Sequence, residues 1–134
     1  MNNEKRKMNN DNIGKISTFT DLNAWKYGHQ LVLEIYKITR IFPKEEQYAL
    51  VDQMRRAAIS IVSNIAEGFS RHSFKEKIQF YYMARGSVTE LQSQLLVAKD
   101  LDYIEAVTFN KLADLTVLVH KLLTGLITSS RTKL

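Results

Sequence analysis

The chain has 134 residues, of which 45% are hydrophobic and 25% charged, and its formal net charge is +5. This length and composition are typical of one globular domain with a single core. The absence of cysteine excludes a disulfide framework, a thiolate metal site and a cysteine nucleophile.

The first segment, MNNEKRKMNNDNIGKIST, is basic and rich in asparagine but has no apolar stretch. It therefore lacks the features of a signal peptide or membrane anchor, and no apolar run approaches the roughly 18 residues of a membrane span. We expect a flexible basic tail over residues 1–18, a folded domain over 19–129 and a short basic tail over 130–134. We also expect a cytoplasmic location with no membrane partner.

Four segments with helical periodicity follow in chain order. The first runs from about Thr20 to Phe42 and the second from the acidic turn at Lys44 to about Phe69, with Pro43 between them. The third opens with the capping-box spacing of Ser73 and Glu76 and runs to about Leu101, and the fourth runs from about Ile104 to Thr128. Long helices joined by short turns must run antiparallel, so we predict an all-α, up-down-up-down four-helix bundle.

A stripe of small and polar residues runs along the second predicted helix, and a second stripe runs along the third. In an antiparallel hairpin these stripes lie level, and buried polar groups need partners. We therefore predict a polar network between the helices, with an ion pair between Arg56 and Glu90 and with Gln53, Ser60 and Ser87 close by. We call this set the polar seam, and its members are Gln53, Arg56, Ser60, Asn64, Glu67, Ser87, Glu90 and Gln94.

The main role that we expect for the polar seam is to fix helix register and subunit pairing. A catalytic or ligand site and a partner-binding surface are the alternatives. The second helix is also apolar around about 200° of its circumference, about twice what a surface helix needs. This width indicates burial on two sides, and we predict a ring-like homo-oligomer that covers the second side.

No enzyme signature accompanies the seam. None of the three histidines, His29, His72 and His120, has a glutamate three residues before it, as a di-iron site would need. The HExxH, GxxxxGK[ST], GxGxxG and GxSxG patterns do not occur. We therefore predict a protein that is not an enzyme and holds neither a metal nor another cofactor.

Basic residues concentrate at the termini and at the turn between the second and third predicted helices. Such clusters can contact the phosphates of nucleic acid, although a solvated turn explains them equally well. Our candidate nucleic-acid-binding residues are Lys5, Arg6, Lys7, Arg71, Lys75 and Lys77.

The segments QMRRAAISIVSNIAEGFSR and ARGSVTELQSQL are the most specific parts of a resemblance that covers residues 19–129. The chain resembles the 23S rRNA intervening-sequence protein family, which consists of small, ribosomal-protein-like bacterial four-helix bundles. Its members resemble the accessory variability determinant of diversity-generating retroelements, a homopentamer that binds nucleic acid and a reverse transcriptase through basic surface.

The resemblance implies a pentamer, a structured RNA or DNA partner and a protein partner such as a reverse transcriptase. It implies no catalytic residue. Two classes of function therefore stay open. One is a non-enzymatic, oligomeric nucleic-acid-binding accessory protein, and the other is a protein–protein interaction scaffold that binds no nucleic acid.

Overall fold

The structure, a computed structural model, describes residues 15–134. Within this range the chain forms four long helices and no strand: α1 (Asn23–Thr39), α2 (Leu50–Ser70), α3 (Phe74–Asp100) and α4 (Ala106–Arg131). Each helix packs against its neighbours in sequence, and α1 also packs against α4, which closes the bundle. The predicted all-α four-helix bundle is confirmed.

The first two helices begin later than the periodicity predicts. A short 3-10 helix, Phe19–Asp21, precedes α1, and another, Lys44–Glu46, follows Pro43. Between the second of these and α2, Ala49 adopts φ −123° and ψ −102°, outside the helical region, so the two segments are separate. The acidic turn at Lys44 therefore begins a connection and not α2 itself.

The third and fourth helices start close to the predicted positions. The Ser73 hydroxyl accepts a hydrogen bond from the Glu76 amide at 3.1 Å, which confirms the helix cap. In the turn that follows α3, Asp102 has φ 62°, a conformation that aspartate tolerates better than most residues. At its other end α4 continues to Arg131 with Ser130 buried, so residues 130 and 131 belong to the helix.

The core runs the length of the bundle and consists of branched aliphatic side chains from all four helices. Large side chains with essentially no exposure include Leu31, Ile35, Met54, Ile61, Ile65, Val88, Leu91, Leu95, Leu112, Val119, Leu123 and Ile127. At two points the helices approach so closely that a Cβ atom is difficult to place. A Cβ on Gly28 would lie 3.1 Å from Val62 Cγ1, and one on Gly68 would lie 2.8 Å from Tyr81 Cε1.

One hydrogen bond joins the two connections at the end of the bundle opposite the α2–α3 turn. The Tyr103 hydroxyl, in the α3–α4 turn, donates to Glu46 Oε2 at 2.7 Å. This bond to a carboxylate, helped by desolvation and by the negative charges of Glu46 and Glu45, raises the pKa of Tyr103 to about 12.

By length and composition alone, α4 is long and apolar enough to cross a membrane. The core helices of many soluble proteins meet the same criterion. This finding differs from the expectation that no apolar segment approaches the length of a membrane span. The reason is that α4 carries few charges and has apolar residues on more than one face, with Val107, Val117 and Leu118 exposed.

Candidate nucleic-acid interface

The centre of the polar seam is a cluster of three small polar side chains between α2 and α3. The hydroxyls of Ser60 and Ser87 lie 2.8 Å apart, so one donates to the other across the helix pair. Asn64 Nδ2 donates to the Ser60 carbonyl at 2.9 Å and to the Ser60 hydroxyl at 3.0 Å. The predicted proximity of Ser60 and Ser87 is confirmed.

The predicted ion pair between Arg56 and Glu90 is wrong. Arg56 Nε donates instead to Asp52 Oδ2 at 2.9 Å, one turn earlier on α2, with 78% of the Arg56 side chain exposed. Glu90 is also exposed and accepts a hydrogen bond from Gln94 Nε2 at 3.3 Å. The Arg56 and Glu90 side chains therefore both stay hydrated, and each has its partner on its own helix. Such contacts avoid the desolvation that an ion pair between the helices would require.

The remaining members of the seam lie around this cluster rather than within it. Gln53 is exposed on α2, and Glu67 pairs with Arg71 Nη2 at 3.0 Å near the end of the same helix. Gln94 is the most deeply buried member, at 8% exposure. The seam is therefore a short serine–asparagine contact between helices, flanked by solvated charges.

The wide apolar arc of α2 is mostly buried within one chain, because α2 packs against α1 on one side and α3 on the other. Ala57, Ala58, Ile61 and Ile65 are buried, whereas Ile59 is 41% exposed. Burial on two sides therefore requires no second subunit over most of this arc, and the homo-oligomer stays a prediction.

At the α2–α3 turn, Lys77 is engaged with the end of α2. Its Nζ donates to the Phe69 carbonyl at 2.6 Å and approaches the Gly68 carbonyl at 3.5 Å. These carbonyls are at the negative end of the helix dipole, where a cation is favourable. Burial nevertheless lowers the pKa of Lys77, because desolvation disfavours its charged form.

The other two candidate cations at this turn differ in their availability. Arg71 is partly neutralised, since it pairs with Glu67 and lies 3.9 Å from Glu76 Oε2. Lys75 is exposed and, among the described residues, forms no ion pair. The candidates Lys5, Arg6 and Lys7 lie outside the described residues.

The structure brings further cations to the same end of the bundle, from α3 and from the end of α4. Arg85 and Arg131 both lie over the Tyr82 ring, with Cζ at 5.0 and 5.4 Å from its centroid. Lys77 and Lys133 both approach the Phe74 ring, with Nζ at 5.9 and 5.3 Å from its centroid. We call this set the cation–aromatic strip, and its members are Phe74, Lys77, Tyr82, Arg85, Arg131 and Lys133.

The sequence pattern did not bring Arg85, Arg131 and Lys133 together. The signal that could have done so is the antiparallel register of α3 and α4, which places the end of α4 beside the start of α3. The register is visible in the structure where Arg85 Nη1 donates to Thr124 Oγ1 at 3.1 Å and Gln92 Nε2 donates to Thr116 Oγ1 at 3.1 Å.

Further along the α3–α4 pair, an apolar groove of about 270 Å³ is open to solvent. Leu96 and Val117 line it and are each about half exposed, and Phe109 packs at one end with Lys99 Nζ 4.8 Å from its ring centroid. Elsewhere in residues 15–134, no group of three or more histidine, aspartate or glutamate side chains could hold a metal ion.

Comparison with known proteins supports the fold and identifies the family. No curated protein matches this chain. A crystal structure of a protein of unknown function from the S23 ribosomal protein family of Bacteroides thetaiotaomicron is similar, with a TM-score of 0.73 and 19% sequence identity. The similarity covers 78% of this chain and 95% of that one, and at this identity it shows the fold alone. The family model described as 23S rRNA-intervening sequence protein matches residues 20–125, so the chain belongs to the 23S rRNA-intervening sequence protein family.

Proposed function

We propose that this chain is a non-enzymatic accessory protein that binds structured RNA or DNA through its phosphates, largely without reading sequence. The observation that carries the proposal is the gathering of cations at one end of the bundle. Among the described residues, Lys75, Lys77, Arg85, Arg131 and Lys133 form no ion pair with a carboxylate. Cations that no carboxylate neutralises can exchange with the counterions of a nucleic acid.

The opposite end of the bundle has a different charge. Glu45, Glu46, Asp100, Asp102 and Glu105 occur in or beside the two connections there. Because these carboxylates offset cations such as Lys37, Arg40 and Lys44 near the same end, a phosphate backbone would be attracted more strongly to the basic end, which orients the protein on its ligand. A cytoplasmic location and a homo-oligomer, for which the family resemblance implies a pentamer, are part of the same proposal, since an oligomer would multiply the basic ends.

The test is binding of a short RNA hairpin, measured by fluorescence anisotropy between 50 and 200 mM salt. We expect log affinity to fall linearly with log salt. A triple variant, Lys75→Ala/Arg131→Ala/Lys133→Ala, should lower the slope by about 2 to 3 because each lost phosphate contact removes about 0.7 to 0.9.

The matched control is Lys37→Ala/Arg40→Ala/Lys44→Ala, which removes three exposed cations near the other end of the bundle. We expect its slope to remain within about 1 of the parent value. Absence of binding by the parent at 50 mM salt would refute the proposal. An equal decrease of the salt slope in the two triple variants would refute it as well.

A protein–protein scaffold is the second candidate, and the apolar groove between α3 and α4 favours it. Leu96 and Val117 expose apolar surface beside Leu118 and Val97, as interaction surfaces commonly do. A second subunit or a protein partner such as a reverse transcriptase would cover it. Light scattering on the parent and on Leu96→Ser/Val117→Ser distinguishes the two occupants. If a second subunit covers the groove, the substitution should lower the mass of the assembly. If a different protein covers it, the mass should not change.

A further inference from the structure

We propose that the cation–aromatic strip binds unpaired nucleotides, with bases stacking on its rings and guanidinium planes while its cations contact the flanking phosphates. This inference rests on the proposed function and specifies its ligand as a single-stranded segment, such as a loop or an end, rather than a continuous duplex. It assigns the site to α3 and the end of α4, not to the α2–α3 turn alone.

The strip repeats one arrangement twice along α3. Phe74 has Lys77 and Lys133 near its ring, and Tyr82 has Arg85 and Arg131 near its ring. The two rings are eight residues apart on one helix, a rise of about 12 Å. Each ring thus combines one cation from α3 with one from the end of α4, so the strip follows the boundary between these helices.

The strip is accessible, unlike the neighbouring side chain of Tyr81. Tyr82 is 36% exposed and Phe74 is partly buried, whereas Tyr81 is buried in the core. Arg131 and Lys133 are exposed, and Arg85 is held in place by its hydrogen bond to Thr124. A cation resting on an aromatic ring loses less conformational freedom when it binds a ligand, because part of that freedom is already lost.

The combination of rings and cations favours nucleic acid with exposed bases over the other anionic ligands. An unpaired base can stack on an aromatic ring or an arginine plane, and such stacking tolerates any base. In a duplex the base faces are already stacked on one another, so the rings would gain nothing. An acidic peptide could use the four cations but has no flat groups for the rings.

The experiment compares three probes of equal length on the parent protein at one salt concentration. They are a 12-nucleotide single-stranded RNA, the same strand with abasic sugars at its central positions, and an RNA duplex. We expect the base-bearing strand to bind about tenfold more tightly than the abasic strand, since one stacked base typically contributes that much. The duplex should bind with an affinity close to that of the abasic strand.

Three variants locate the effect. Tyr82→Leu should lower the ratio between the base-bearing and abasic strands about threefold, because Phe74 still offers one ring, while Tyr82→Phe keeps the ratio of the parent. Tyr48→Leu removes a tyrosine that is 90% exposed in the α1–α2 connection and should leave the ratio unchanged. Thermal unfolding of each variant establishes that the protein is folded.

The outcomes separate this inference from the proposed function. If the parent binds all three probes equally and with steep salt dependence, phosphate binding stands and base stacking is refuted. If polyglutamate of matched charge competes as well as the single strand, the strip is an acidic-peptide site and the inference fails. If the parent binds no probe at 50 mM salt, the proposed function itself fails.

Discussion

Ser60 and Ser87 join α2 to α3 through a hydrogen bond of 2.8 Å between their hydroxyls, and Asn64 donates to Ser60 from one turn away. The bond lies near the midpoint of both helices, where both hydroxyls are partly buried. Because serine is small, the bond requires close approach of the two backbones and fixes how the helices are aligned along their axes.

The first prediction tests this bond. We expect Ser60→Ala and Ser87→Ala each to lower the free energy of unfolding by about 1 kcal/mol, which is the usual loss for one hydrogen bond. The double variant should lose less than the sum of the two, with a coupling of about 0.5 kcal/mol or more. Urea unfolding followed by circular dichroism measures all three.

Glu90→Ala is the control for this cycle, since Glu90 is an exposed neighbour of Ser87 on α3. Its unfolding free energy should change by less than about 0.5 kcal/mol, as surface substitutions usually do. A large loss would mean that Glu90 is more than a solvated neighbour of Ser87, either through its hydrogen bond from Gln94 or through a pair across the helices. Strict additivity of the two serine variants would contradict the hydrogen bond.

The second prediction concerns the close approach of α2 and α3 near their turn. A Cβ on Gly68 would lie 2.8 Å from the Tyr81 ring and 2.9 Å from Phe80 Cβ, and Phe80 Cβ cannot move without its backbone. We therefore expect Gly68→Ala to lower stability by about 1 to 3 kcal/mol, as overpacking does. Thermal or urea unfolding measures it.

Gly125→Ala is the matched control, because a Cβ there would meet no atom within 4 Å. Within the last two turns of α4, alanine should raise stability by about 0.5 to 1 kcal/mol through helix propensity alone. If both variants were stabilised equally, the helices would not be as close at Gly68 as the structure places them.

The third prediction follows from the raised pKa of Tyr103. A tyrosine whose pKa rises on folding stabilises the protein while it is protonated, fully so below the unfolded value of about 10. This stabilisation should be lost as the pH rises from about 10 through about 12, the value in the folded protein.

Comparison with Tyr103→Phe isolates this effect from the titration of the other tyrosines and the lysines. The parent should have a higher melting temperature than the variant at pH 8, and the difference should shrink progressively as the pH rises above 10. A difference that stays constant up to pH 12 would show that the hydrogen bond to Glu46 does not govern this titration.

The fold could be predicted from the sequence because its signals are local. The period of the apolar residues places four helices, and the cap at Ser73 places the start of α3 correctly. Helix starts next to Pro43 were less accurate, since acidic residues suit both a 3-10 turn and a helix N-terminus. The Ser60–Ser87 contact was predictable from the hairpin register alone.

The sequence was a poorer guide where hydration decides which charged groups pair. Register placed Arg56 level with Glu90, but register does not reveal that an arginine at the edge of a helix pair keeps its hydration and pairs with Asp52 instead. Partners within the chain were missed for the same reason: Glu67 pairs with Arg71, and the Phe69 carbonyl at the end of α2 accepts a hydrogen bond from Lys77. Phosphate contact by these two cations stays a prediction. The cation–aromatic strip depends on side chains from the end of α4, which no local pattern on α3 indicates.

The order of helix contacts also bears on how quickly the chain folds. Three of the four helix interfaces in residues 15–134 join neighbours in sequence, so most of the core forms without bringing distant segments together. Helical proteins with such local contacts fold in microseconds to milliseconds. Only the docking of α1 on α4, where Lys111 Nζ meets Glu34 Oε1 at 3.1 Å, must close a long loop, and we expect that step to limit the folding rate.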